Sequence, residues 1–156
     1  MLAAELAAKL GIRHVEIDAL HHGPNWESCG VEVLRERVGA AIEGDGWVTD
    51  STYRSMLGDL VYERADTFVW LDLPVALVMW RLLRRTYVRK RSKVELWNGN
   101  TEPGWRFSIP LLIWPALKRA FQNRREYPSR LARYPNLDVH RLRSDDEVRA
   151  FLRSTG

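Results

Sequence analysis

The sequence predicts an α/β fold in which helices flank a largely parallel sheet. Strand-like and helix-like segments alternate at short intervals from one end to the other, and three predicted strands end on an aspartate, Asp18, Asp50 and Asp72. In addition, Phe68, Val69, Trp70 and Leu71 form a consecutive apolar run, as a strand covered on both faces requires. In such folds ligands lie beyond the carboxyl ends of the strands. A chain of 156 residues can bury one core, so a single domain over 1–156 is expected.

Taken in order, apolar residues at 2, 3, 6, 7 and 10 recur with helical period, and Gly11 stops that helix. Residues 12–17 read as a short strand with the β-branched Val15 and Ile17, ending at Asp18. His21 to Trp26 holds Gly and Pro and reads as a loop. Helical spacing returns through Val31, Leu34, Val38 and Ile42 and ends at Gly44 and Gly46; Trp47 and Val48 form a strand stopping at Asp50. The segment 65–73 is the clearest strand, with Pro74 suited to the start of the helix that follows. Residues 98–104 break the chain, and a helix from Trp105 to about Tyr127 is expected to be kinked or divided by Pro110 and Pro115. A last strand spans 137–142, and Ser144 with Glu147 makes a capping box for a terminal helix.

A single cysteine, Cys29, cannot form an internal disulfide, and with no partner in its neighbourhood of the sequence it reads as inert. No apolar run approaches the roughly 20 residues of a membrane span, and the first ten residues do not read as an export signal. A cytoplasmic protein without membrane attachment is expected. The net charge of +4 is unevenly placed, for Arg81, Arg84, Arg85, Arg89, Lys90, Arg91 and Lys93 stand together without an acid. Such a cluster favours an anionic partner, with a solvated helix end as the plain alternative.

Asp50, directly after a strand and before Ser51, Thr52 and Tyr53, is placed to hold a magnesium ion or its water, or else to cap the next turn. Asp18 stands at the equivalent end of the first strand, where a carboxylate can accept a hydrogen bond from a substrate hydroxyl. Asp72 suits helix capping. Arg81 and Arg85, four residues apart on one helix face, can converge on a phosphate or a base, and Arg89 and Arg91 can stabilise charge on a transferring group. His21 and His22 lack further ligands at metal spacing. Of the seven tryptophans, Trp47 and Trp70 read as core, while Trp26 and Trp105 fall beside loops and could line a cleft.

The order and spacing of several stretches resemble the adenylate-kinase-like P-loop kinases, most closely the small bacterial topology modulation proteins or putative adenylate kinases. These stretches are Leu2 to Gly11; Asp18 with Pro24, Asn25 and Trp26; Trp47 to Tyr53; Arg64 to Asp66; Leu71 to Pro74; Trp80 and Arg81; and Glu95 to Asn100. The resemblance reaches to about Tyr127. It implies a three-layer P-loop NTPase-like fold and phosphoryl transfer from ATP with Mg2+ to a small acceptor, possible members including nucleoside monophosphates. It further implies that Asp50 serves the metal, Arg81 and Arg85 the ATP, and Arg85, Arg89 and Arg91 the phosphates from a lid-like segment, 85–104. Asp18, Trp26 and Tyr53 then lie on the acceptor side.

Two departures stand out. Ser51 and Thr52 replace the Gly and Asn usual in relatives. The central first strand and the Gly-rich loop that cradles phosphates are absent, since the chain opens inside the helix that should follow them. A start codon placed too far downstream, or a truncated gene, is the expected cause, and the chain as written is expected to be inactive and marginally stable. The alternatives are a non-catalytic nucleotide- or nucleic-acid-binding protein and a degenerate remnant. Nucleic acid is not the expected partner, because along the chain the aromatics are not regularly interleaved with the basic cluster.

Overall fold

The computed structural model describes residues 2–91, 97–100 and 105–155, without the side chains of 90, 97 and 105–112. The expectations for Lys93, for the Trp105 side chain and for most of 92–104 therefore lie outside the described residues. The chain is mixed α/β, and its contacts divide it into two compact units, one of residues 1–65, 97–99 and 149–156, the other of 66–96 and 100–148.

In the first unit, α1 (Leu2–Leu10) buries Ala3, Leu6 and Ala7 and ends at Gly11, whose φ of +67° only glycine adopts freely. It leads to β1 (Arg13–Val15), which pairs in parallel with β2 (Trp47–Thr49), Arg13 opposite Trp47 and Val15 opposite Thr49. Gly46, at φ +81°, immediately precedes β2, and a Cβ there would meet Ile12 Cγ2 at 3.0 Å. The helix α3 (Val31–Ala41) turns Leu34 and Val38 inward, where they meet Val15, Ile17, Ile42, Leu57 and Val61. Two short helices the periodicity does not reveal, α4 (Arg54–Leu57) and α5 (Leu60–Arg64), supply Leu57 and Val61. They are tied down by Arg35 Nε to the Met56 carbonyl, 3.0 Å, and Arg64 Nη1 to that of Gly39, 2.6 Å.

The strand expected over 12–17 is shorter than its composition suggests. Ile17 is fully buried and opens a five-residue helix, α2 (Ile17–His21), so Asp18 stands in a first helical turn rather than at a strand end. Burial of Ile17 in the aliphatic core outweighs its β propensity.

In the second unit β3 (Thr67–Leu71) pairs in parallel with β4 (Asp138–Leu142) along its whole length. Trp70 is buried and Tyr127 sets its ring edge-on to both Phe68 and Trp70, at 5.4 and 5.3 Å. The expectation of cover on both faces fails at Leu71, which is 47% exposed: a two-stranded sheet is too narrow to be shielded throughout. From Pro74, α6 (Val75–Arg91) runs into the basic cluster and packs with α7 (Trp105–Leu131). α7 is one helix that neither Pro110 nor Pro115 divides, and it extends past Tyr127 through Pro128. The last helix, α8 (Asp145–Ser154), begins where the capping box predicts.

Candidate functional site

Among the described residues four that are not glycine have positive φ: Asn25 (57°), Trp26 (60°), Tyr53 (41°) and Asn98 (55°). For residues as bulky as Trp and Tyr this conformation is a genuine outlier, costing on the order of 1–3 kcal/mol each. The four gather around α2 and the residue that caps it, His22. The Tyr53 hydroxyl donates to Asp18 Oδ1, and its ring stands edge-on to His21 at 5.4 Å. Trp26, next to Asn25, stands edge-on to His22 at 5.5 Å. Asn98, within the 3-10 turn Trp97–Gly99, donates from Nδ2 to the carbonyls of His22 (2.6 Å) and Ala19 (3.4 Å).

Local sequence explains part of this. Ser51 Oγ accepts from the Tyr53 amide at 3.4 Å, and Thr49 Oγ1 donates to the Ser51 carbonyl at 3.2 Å, so hydroxyls close the turn that carries Tyr53. Pro24 opens the 3-10 turn Pro24–Trp26, and Gly23 donates to the Glu27 carbonyl at 2.7 Å beneath it. Arg37 Nη1 reaches the Leu20 carbonyl at 2.9 Å, completing the hold on the end of α2.

His21 is buried, and its pKa is lowered by that burial, then by the neighbouring His22, with Asp18 opposing. Cys29, which the sequence leaves without a partner, in fact has its Sγ 3.7 Å from His21 Nδ1 and 3.6 Å from the Leu20 carbonyl. The contact packs the Cys29 loop against α2. His22 Nδ1 is buried without a hydrogen-bond partner.

Asp50 follows β2 and is exposed at one edge. Partial burial of its carboxyl raises the pKa, the negative charge of Asp18 raises it further, His14 opposes, and Glu16 adds a smaller upward push. Asp18, Glu16 and Asp50 therefore share one negative neighbourhood beyond the ends of β1 and β2. Among the described residues no group of three or more His, Cys, Asp or Glu is arranged to hold a metal ion.

Asp18, Trp26, Asp50 and Tyr53 belong to the first unit, the four arginines to α6 in the second. The structure joins Asp18 to Tyr53 directly and Trp26 to them through His22. Arg81 is ion-paired with Asp145 at 2.5 Å, Arg85 and Arg91 are exposed, and Arg89 is half-buried. The sequence does not reveal the parts played by His21, His22 and Asn98. The one available signal is the Asn-Gly pair at 98–99, since asparagine tolerates the left-handed region. Comparison of the chain with protein-family models, with curated proteins and with solved structures yields no match.

Proposed function

We propose that the chain is built like a phosphotransferase of the adenylate-kinase-like kind but does not itself carry out the transfer, and that its first unit holds the phosphate acceptor, a nucleoside monophosphate or another small polar molecule, at Asp18, Trp26 and Tyr53. The observation that carries the reading is the convergence of strained residues on α2. Backbone strain persists where the surroundings over-determine it, and it collects at ligand clamps. The Tyr53 hydroxyl fixes the Asp18 carboxylate, whose part is to accept a hydrogen bond from the acceptor. The strand pairing also supports the reading. Parallel pairing of β1 with β2, and of β3 with β4, suits the α/β architecture this reading requires.

Magnesium is commonly bound by one or two carboxylates together with substrate phosphates and several waters. Asp50, in surroundings made negative by Asp18 and Glu16, suits that arrangement, and the ion would then arrive with the nucleotide, where it neutralises charge on the transferring group. ATP fits less well. The 156 residues contain no Gly-rich run ending in Lys-Ser or Lys-Thr, and the Arg81 guanidinium is committed to Asp145. Binding of the acceptor, rather than turnover, is therefore the primary measurement.

Calorimetric titration of the chain with a panel of nucleosides and nucleoside monophosphates is expected to find one that binds. Asp18→Asn and Tyr53→Phe should each weaken it by about tenfold or more, the loss of a hydrogen bond to a charged group being worth roughly 1.5–3 kcal/mol. If no member of the panel binds at millimolar concentration, or if the Asp18→Asn protein binds as tightly as the parent, the reading fails.

A further inference from the structure

We propose that α6 and α7 form a binding surface for single-stranded nucleic acid, distinct in its residues from the Asp18 site and independent of the reading given above for it. Folding into helices creates an order that the linear sequence hides. On α6, Trp80, Arg84, Tyr87 and Arg91 fall at intervals of four, three and four residues; on α7, Trp114, Lys118, Phe121 and Arg125 repeat the same spacing and the same alternation of ring and cation. Residues so spaced lie along one line of a helix. All eight are exposed, Trp80 by 57%, Tyr87 by 52%, Phe121 by 60% and Trp114 by 72%. The Arg84 guanidinium lies 5.6 Å from the Trp80 ring, a pre-formed cation–π pair.

The surroundings supply the charge. α6 has six cations and no acid, α7 six cations and the single acid Glu126, so two helices carry half of the 24 basic residues and one of the 20 acidic ones. Rings that stack on bases alternating with cations that meet phosphates are the chemistry of single-strand recognition. A helix lying on a lipid surface instead segregates its apolar and charged residues to opposite faces. Here ring and cation share one line. A duplex would offer its phosphates but keep its bases stacked out of reach.

The test measures fluorescence anisotropy of a labelled oligothymidylate of about 20 nucleotides, longer than the ~16 nucleotides at the upper end of single-strand site sizes. Its reference points are a duplex of equal length and vesicles containing phosphatidylserine. We expect the single strand to bind most tightly, with log affinity falling linearly in log salt by about 0.7 per phosphate neutralised. Trp114→Ala and Phe121→Ala should each weaken binding by roughly 5- to 150-fold, and Lys118→Gln should reduce the salt slope by about 0.7. These three residues are exposed, so a circular-dichroism melt matching the parent is expected. They also lie outside the residues assigned to phosphoryl transfer, so failure here leaves that reading standing. The proposal is overturned if the oligonucleotide does not bind at low salt, if the two aromatic variants bind it like the parent, or if duplex or vesicle binds more tightly.

Discussion

Asp72 shows how a strand-end carboxylate can be bound up in structure. Its side chain is 7% exposed and accepts from Arg124 Nε at 2.6 Å and from Arg141 Nη2 and Nε at 2.5 and 2.9 Å. Arg124 also donates to the Leu73 carbonyl, and Arg141 lies over the Trp70 ring at 4.1 Å. One carboxylate thus ties β3 to both β4 and α7, a larger task than the helix capping its position suggests. Burial alone would raise its pKa, but the hydrogen bonds and then the charges of the two arginines lower it. A lowered carboxylate pKa stabilises the fold fully above the ordinary value of 3.8, and that stabilisation is lost as the pH falls through the lowered value. Asp72→Asn should cost about 2 kcal/mol in urea unfolding at pH 7, less than for a fully buried pair because both arginines are partly exposed. In strong acid the two proteins should unfold alike. Equal stability at pH 7 would remove the clamp from this account.

At the scale of elements, α8 tests whether local chemistry read from sequence is worth what it should be. Glu147 donates its amide to Ser144 Oγ at 3.2 Å, while its carboxylate reaches back to the Arg143 amide at 2.8 Å, one residue earlier than a standard capping box. Asp145, Asp146 and Glu147 occupy the first turn, and Lys9 Nζ caps the far end on the carbonyls of Leu152 (2.6 Å) and Arg153 (3.1 Å), so charge favours both termini. Ser144→Ala is expected to cost about 1 kcal/mol, a fall in Tm of roughly 2–4 °C for a chain of this size; an unchanged melting curve would argue against the cap. The helices α1, α3, α6 and α8 and the strands β2, β3 and β4 were legible because period and punctuation agree along them, whereas in α7 the prolines conflict with the helical period. α2, α4 and α5 were not, since four or five residues are too few for periodicity to declare itself. The paired stripes of α6 and α7 were hidden for a different reason: interleaving along a helix is a property of angle, not of adjacency.

For the whole molecule, alternation of strands and helices correctly announced an α/β chain with parallel pairing, but it could not give the division into two sheets. Ladder partners are far apart in sequence, as Thr67 and Asp138 are, and nothing local to either strand specifies the other. The same holds at the candidate site, where Asn98 reaches His22 across 76 positions. Separate cores should open separately. Native-state hydrogen exchange is expected to give the amides of Leu34 and Val38 one shared opening free energy and those of Trp70 and Leu142 another; a single value throughout would contradict this. The distribution of charge also has a macroscopic consequence. α6 and α7 together are charged +11, so all the other residues sum to −7, and the modest total conceals two strongly opposed populations. On a cation exchanger the protein should be retained well beyond what its overall charge of +4 suggests, because the resin meets a patch rather than an average.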